Sequence, residues 1–273
     1  MLPIMLQLYT VRDDLHKDFE GTLEEVARIG YHYVELALAQ SYGKTAAQWK
    51  ASLEKAGLSA VSAHVSYGDL MADPENTIKY YSAVGCTYIV IPYLDVPDRS
   101  TGPNYEEVKK NIAKIGELAH TKGLTLLYHN HEFEFVDYHG KYALDDLFDS
   151  IPAELLQTEI DVCWTKMGGV DPAEYILKYT GRSPIVHLKD FGSSARDTVK
   201  AESELIEEAK KASAEDSFPF RILGQGILDI PGIIKAAEKA GTQWLVVELD
   251  LPAPGKIPMA CARECLNYLR SYS

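Results

Sequence analysis

Leu124-Thr125-Leu126-Leu127-Tyr128-His129-Asn130-His131-Glu132-Phe133-Glu134-Phe135 is an apolar run that ends in a burst of imidazoles and carboxylates. Residues 124–128 are short and apolar, which reads as a buried strand. His129, His131, Glu132 and Glu134 then fall within six residues. Such groups are costly to bury in a core but well suited to a site. Upstream, residues 104–122 have helical spacing and are closed by Gly123. The unit is therefore one helix, one strand and one polar strand end. Whether it repeats decides the fold.

It repeats along the whole chain. Strands are expected at 4–8, 33–36, 58–65, 87–91, 124–128, 155–160, 184–188 and 244–249. Helices are expected at 18–29, 45–56, 74–84, 104–122, 144–150, 172–179, 230–240 and 259–269. Thr45, Asp73, Asp171 and Asp229 stand where N-caps belong, and Gly30, Gly57, Gly85, Gly123 and Gly241 follow helix ends. Strict alternation with near-continuous apolar strands implies a parallel sheet covered on both faces. Eight such units predict the α/β class and a closed (β/α)8 TIM barrel, one domain over residues 1–273. One segment breaks the rhythm, an insertion at about 191–226 between the seventh strand and its helix, with a charged helix expected at 201–212. Loops of this length are usually functional, so it is a candidate lid or a subunit contact of a homo-oligomer.

The bulk properties narrow the function. The 273 residues are 46% hydrophobic and carry a net charge of −13. That charge repels phosphate backbones and disfavours a nucleic-acid partner. The first residues lack the basic start of a signal peptide. No apolar run approaches the roughly 18 residues that span a membrane. Cys86, Cys163, Cys261 and Cys265 form no CxxC pair and read as free thiols. The expectation is a cytoplasmic protein with neither membrane nor nucleic-acid partner. Fingerprints of other chemistries are missing: no GxGxxG after a first strand, no Walker A sequence, no GxSxG elbow and no HExxH.

In a barrel of this kind the site lies at the C-terminal strand ends. Those ends carry Gln7 and Tyr9, Glu35, His64, Tyr93, His129 with His131 and Glu134, Asp161 with Trp164, His187 with Lys189 and Asp190, and Glu248 with Asp250. Each has a bland reading. A lone His64 is more often a satisfied core histidine, Trp164 is a wall, and Asp190 and Asp250 are expected to cap the helices that follow. The set taken together is harder to dismiss, because four neighbouring strands all end in a carboxylate or imidazole. Mixed oxygen and nitrogen donors point to one divalent ion, with Mn2+, Co2+, Fe2+ or Zn2+ favoured over Mg2+. Such an ion can hold two neighbouring oxygens of a small carbohydrate and stabilise an enediolate. His64, His131 and Lys189 are then candidates for acid–base work or for gripping hydroxyls.

Gln7-Leu8-Tyr9-Thr10-Val11-Arg12-Asp13, Tyr128-His129-Asn130-His131 with Glu134-Phe135, Asp161-Val162-Cys163-Trp164, His187-Leu188-Lys189-Asp190 and Val247-Glu248-Leu249-Asp250 occur in that order. In these motifs the chain resembles the sugar phosphate isomerase/epimerase group of the xylose-isomerase-like TIM barrels over essentially its whole length. The resemblance implies one metal held by Glu, Asp, His and Glu from strands five to eight. Asp161, His187 and Glu248 match the last three. At the first position the chain has His129, so Glu134, reaching back from the loop, is the expected replacement, with His129 or Glu132 as alternatives. Ketose epimerases of the group use their two metal-binding Glu as an acid/base pair. Gln225 stands where a related Gly-x-Gly motif often carries an acid. The expected catalytic residues are Glu248, His131, His64 and Lys189, and the expected substrate-binding residues are Gln7, Tyr9, Glu35, His129 and Trp164. The expected activity is isomerisation or epimerisation of a sugar, keto-sugar or cyclitol. An inosose-type dehydratase or keto-glycoside lyase on the same metal site is the first alternative. A non-catalytic carbohydrate-binding barrel is the second.

Overall fold

A computed structural model of the chain describes residues 2–192, 220–253 and 255–272. Eight strands close into a parallel barrel in which every strand pairs with its neighbours in sequence. They are β1 (Ile4–Gln7), β2 (Tyr33–Leu36), β3 (Ser59–His64), β4 (Tyr88–Ile91), β5 (Thr125–His129), β6 (Gln157–Asp161), β7 (Ile185–Leu188) and β8 (Trp244–Val247). β1 closes the ring against β8, with Leu6 level with Val247. The covering helices are α1 (Phe19–Ile29), α2 (Ala46–Ala56), α3 (Pro74–Val84), α4 (Tyr105–Thr121), α5 (Ala143–Ser150), α6 (Pro172–Lys178), α7 (Ile230–Ala240) and α8 (Pro258–Arg270). This is the (β/α)8 barrel expected from the alternation.

Two-residue alternation within each strand divides the barrel interior into layers. Met5, Val61, Val90, Leu127, Ile185 and Val246 fill the lower interior as one apolar cluster. Two residues further along the same strands stand Gln7, His129, His187 and Glu248. The opposite strand faces, among them Leu6, Val34, Ile89, Leu126, Ile160 and Leu245, pack against the helices in a larger core. Each such side chain stabilises the fold by about 1.5–3 kcal/mol on full burial. An apolar floor therefore carries a polar ring, and the site is built on that ring.

Local signals hold the helices in place. Thr45 caps α2 through a reciprocal box: its Oγ1 accepts from Gln48 N at 3.3 Å and its own N–H donates to Gln48 Oε1 at 2.8 Å. Gly57 ends that helix at φ +76°, a conformation that costs other residues more. Among the described residues three α-helices were not anticipated: Arg12–Lys17, Tyr67–Ala72 and Val162–Met167. Each has six residues, too short to show an apolar period. The charged helix expected at 201–212 lies outside the described residues. At the two edges of that segment, Asp190–Phe191 pairs antiparallel with Phe220–Arg221.

Candidate metal centre

The last residue of β6 is also the N-cap of the helix that follows it. Asp161 Oδ1 accepts from Trp164 N at 2.9 Å, so the strand turns into helix Val162–Met167 with the carboxylate fixed at the barrel mouth. Its other oxygen, Oδ2, accepts no hydrogen bond and faces Lys189 Nζ at 3.6 Å. Asp161 lies level with His187 on β7. His187 Nδ1 lies 3.1 Å from Glu248 Oε2. His129, from the end of β5, completes the group: one donor atom from each of His129, Asp161, His187 and Glu248 lies within 4.8 Å of the others. All four side chains are buried.

The donor set fits a divalent ion. Two imidazoles and two carboxylates are a normal mixture for Mn2+, Fe2+, Co2+ or Zn2+, and the orphaned Asp161 Oδ2 is an oxygen that a cation would satisfy. Burial, reinforced by the charges of His187 and His64, holds the His129 imidazole well below its usual range, hence neutral, the form that binds metal. Burial also pushes Asp161 up to about 6, although Lys189 and His187 pull the other way.

Beside this group lie two carboxylates at full burial, Glu35 and Glu159, the second of which forms with His64, His129 and His187 another set of donor atoms within 4.8 Å of one another. Glu35 Oε1 accepts from Gln7 Nε2 at 2.8 Å, and Oε2 accepts from Ser62 Oγ at 2.5 Å. His187 Nε2 lies 2.6 Å from Glu35 Oε1. Burial opposes protonation of His187, but the charges of Glu159 and Glu35 and the contacts with Glu159 and Glu248 hold it well above the usual imidazole range, so an ion bound at Nδ1 would displace a proton. Glu159 Oε2 collects three imidazoles: His64 Nε2 at 2.7 Å, His129 Nδ1 at 3.1 Å and His187 Nε2 at 3.2 Å. Carboxylates of this kind fix the tautomer and orientation of metal-binding histidines. Burial opposes ionisation of Glu35, but the charges of His64 and His187 hold it well below the usual carboxylate range. His64 is pushed up to about 10: burial works against this, and Glu35 and Glu159 outweigh it.

Several expectations change in consequence. Gln7 and Glu35, read as substrate-binding, are 0% exposed and occupied with each other and with His187. They support the site and do not border its cavity. Glu159 was missed, although it stands two residues before Asp161 and so shares its inward face. Glu134 is not brought to the centre. The chain leaves β5 in a single 3-10 turn, Glu132–Phe135. That turn points the Glu134 carboxylate back at its own start, where it accepts from His131 N at 2.7 Å and Tyr128 OH at 2.5 Å. Glu132, the other alternative, is buried and is not in the group of four either.

Asp190 and Asp250 do not cap helices. Asp190 accepts from the backbone N–H of Phe191, Gly224, Gly226 and Leu228, which fastens the chain where it re-enters before α7. A Cβ on Gly226 would meet Asp190 Oδ1 at 2.0 Å, which accounts for a glycine at that position of the Gly-x-Gly stretch. Asp250 lies 2.9 Å from Lys189 Nζ. That ammonium is itself buried, 3.1 Å from Glu248 and 5.1 Å from the centroid of the Trp164 ring. Trp164, expected to be a wall of the site and to bind substrate, is fully buried and stacks on His131 at 5.4 Å without bordering the cavity.

A cavity of about 380 Å3 opens above the centre. Tyr9, His64, His129, His131, Lys189 and Glu248 border it. The arrangement offers a cation seat at the floor, imidazoles and an ammonium on the wall, and room for a small polyol. No helix among the described residues is long and apolar enough to cross a membrane.

Comparison with known proteins agrees with this architecture. A family model described as xylose isomerase-like TIM barrel matches residues 23–272. An inosose dehydratase of Geobacillus thermodenitrificans is 24% identical over 274 residues, covering 92% of this chain and 89% of that protein. An inosose dehydratase of Clostridium botulinum is 25% identical over 280 residues, covering 94% and 91%. A sugar phosphate isomerase/epimerase structure from Parabacteroides distasonis superposes with a TM-score of 0.78 at 23% identity, covering 99% and 98%. The probable 3-DHS dehydratase AsbF from Bacillus anthracis superposes with a TM-score of 0.70 at 13% identity, covering 98% and 99%. At these identities the two structures show a shared fold.

Proposed function

The chain belongs to the xylose isomerase-like TIM barrel family, and from that premise we propose that it is a divalent-metal-dependent dehydratase of a keto-cyclitol or keto-sugar. One observation carries the choice between dehydration and epimerisation. β5 presents the imidazole of His129 to the centre, while the carboxylate of Glu134 is turned into its own 3-10 turn. Exchange of a proton between two faces of a carbon takes a base on each face. Elimination takes one base that removes a proton and returns it to the departing group.

His129, Asp161, His187 and Glu248 are the residues that would hold the ion, and a divalent ion there supplies Lewis-acid polarisation of the substrate carbonyl. His131 borders the cavity outside that set and takes the proton from the carbon next to the carbonyl. The electron pair of the broken C–H bond moves toward the carbonyl oxygen. It returns to form the double bond to the β carbon as the C–O bond there breaks, and the His131 imidazolium gives its proton to the departing hydroxyl, which leaves as water. No oxidant or reductant is needed. Lys189 and His64, on the same wall, donate hydrogen bonds to the substrate hydroxyls. The inosose dehydratases among the relatives supply the class of substrate to test first.

The assay is incubation with an inosose and Mn2+ in deuterated water, followed by NMR and ultraviolet absorbance. The expected result is loss of water with a new conjugated absorbance. Deuterium at one carbon with all hydroxyls retained would replace dehydration by epimerisation.

A further inference from the structure

The metal centre is built from β5 to β8, but the cavity above it does not end there. It extends across the barrel mouth over the loops that follow β2, β3 and β4, where Leu38, Val65, Pro92 and Tyr93 border it. We propose that this far arm is a subsite for an uncharged, apolar substituent of the substrate, so that the enzyme takes a polyol joined to an apolar group, as in a glycoside with an aryl or alkyl aglycone. The inference rests on the polyol end lying over the metal centre.

Three observations point the same way. The first is Leu38. It holds φ +53°, in the left-handed region that asparagine or glycine would adopt with less strain, and its side chain is 47% exposed. Strain of this kind collects at ligand-binding positions. Here it places a branched apolar side chain on the cavity wall at the first turn after β2.

The second observation is Tyr93, whose ring is 37% exposed yet held from several sides. Its hydroxyl accepts from the Arg99 guanidinium. That guanidinium also lies 3.5 Å above the centroid of the Phe133 ring and donates to Leu94 O at 2.8 Å. The Tyr93 and His131 rings stand perpendicular, with centroids 5.2 Å apart. An aromatic surface fixed in advance loses little freedom when a ligand packs on it.

The third is charge. Among the described residues that border the cavity, Lys189 is the one Lys or Arg, and it already lies against Asp161, Glu248 and Asp250. The charged group on the far arm is Asp69, whose carboxylate accepts from Ser66 Oγ at 2.7 Å. A phosphate on that arm would meet the like charge of Asp69, and the Arg99 guanidinium at Tyr93 is already bound to Tyr93 OH and Leu94 O, whereas an apolar group would leave water for apolar walls.

The test is binding of three probes to the Mn2+-loaded protein by isothermal titration: methyl β-D-glucopyranoside, phenyl β-D-glucopyranoside and glucose 6-phosphate. The phenyl glucoside is expected to bind about tenfold tighter than the methyl glucoside, and glucose 6-phosphate no tighter than the methyl glucoside. Tyr93→Ala and, separately, Leu38→Asn should cut the phenyl advantage to about twofold or less and leave methyl glucoside affinity as it was. Asparagine tolerates the left-handed backbone, so Leu38→Asn keeps the fold and gives a check independent of Tyr93. Equal affinity for the two glycosides, a phenyl advantage that survives both substitutions, or preferential binding of glucose 6-phosphate would overturn the subsite and leave the metal-centred polyol reading standing. Failure of both glycosides to bind would overturn that reading as well.

Discussion

Asp161→Asn is expected to strip the protein of its divalent ion under mild chelation and to lower dehydratase turnover by about a thousandfold. Asparagine is as good an N-cap as aspartate, so the hydrogen bond from Trp164 N and the helix it starts survive. What is lost is the charge on Oδ2, the oxygen that accepts no hydrogen bond and faces the other donors. Lewis-acid catalysis contributes several kcal/mol to the barrier, and each 1.36 kcal/mol is a factor of ten in rate. Circular dichroism should show an unchanged fold, and elemental analysis should show less than about a tenth of the wild-type metal content. Turnover within threefold of wild type would remove Asp161 from the centre.

Lys189→Met is expected to have the largest effect on stability. The Lys189 ammonium is 2% exposed and lies within 3.6 Å of Asp161 and 3.1 Å of Glu248. It also lies 2.9 Å from Asp250. Removing one partner of a buried ion pair leaves uncompensated charge, at a cost of about 3–5 kcal/mol. Denaturant unfolding in EDTA should show a loss of that size. A divalent ion offers positive charge to two of the same three carboxylates, so Mn2+ should restore part of it. Binding at a hundred times Kd stabilises by about 2.7 kcal/mol. The rise in unfolding midpoint with Mn2+ should therefore be larger in Lys189→Met than in the wild type. A metal-free variant as stable as the wild type would show that the three carboxylates are not ionised together.

The barrel could be read from the sequence because each of its strands is a local signal. Residues 184–188 are apolar but for His187 and stop at Lys189, residues 155–160 run through Gln157, Thr158 and Glu159 to Asp161, and the structure shifts their bounds by no more than two residues. Asp161, His187 and Glu248 were found the same way, as the polar residues where those runs end. The layer beneath was harder to see. Alternation says that Glu35 and Glu159 point inward, but which imidazole each meets depends on the stagger of strands round the barrel. His187 and Glu35 are 152 residues apart and touch at 2.6 Å. The pairing of Asp250 with Lys189 is non-local in the same sense, and a cap was the nearer local explanation. Glu134 was misplaced for a different reason. Spacing set it five residues beyond His129, within reach of the centre, and nothing in the sequence marks the single 3-10 turn that directs its carboxylate to His131 N and Tyr128 OH.

Metal content decides which β5 residue completes the ring. His129→Ala and Glu134→Gln, purified in parallel with the wild type and loaded with Mn2+, are compared by elemental analysis after gel filtration. The wild type and Glu134→Gln should each retain about one ion per chain, the second with a lower melting temperature for its lost carboxylate contacts, while His129→Ala should retain almost none. Metal kept by His129→Ala and lost by Glu134→Gln would contradict the centre described above.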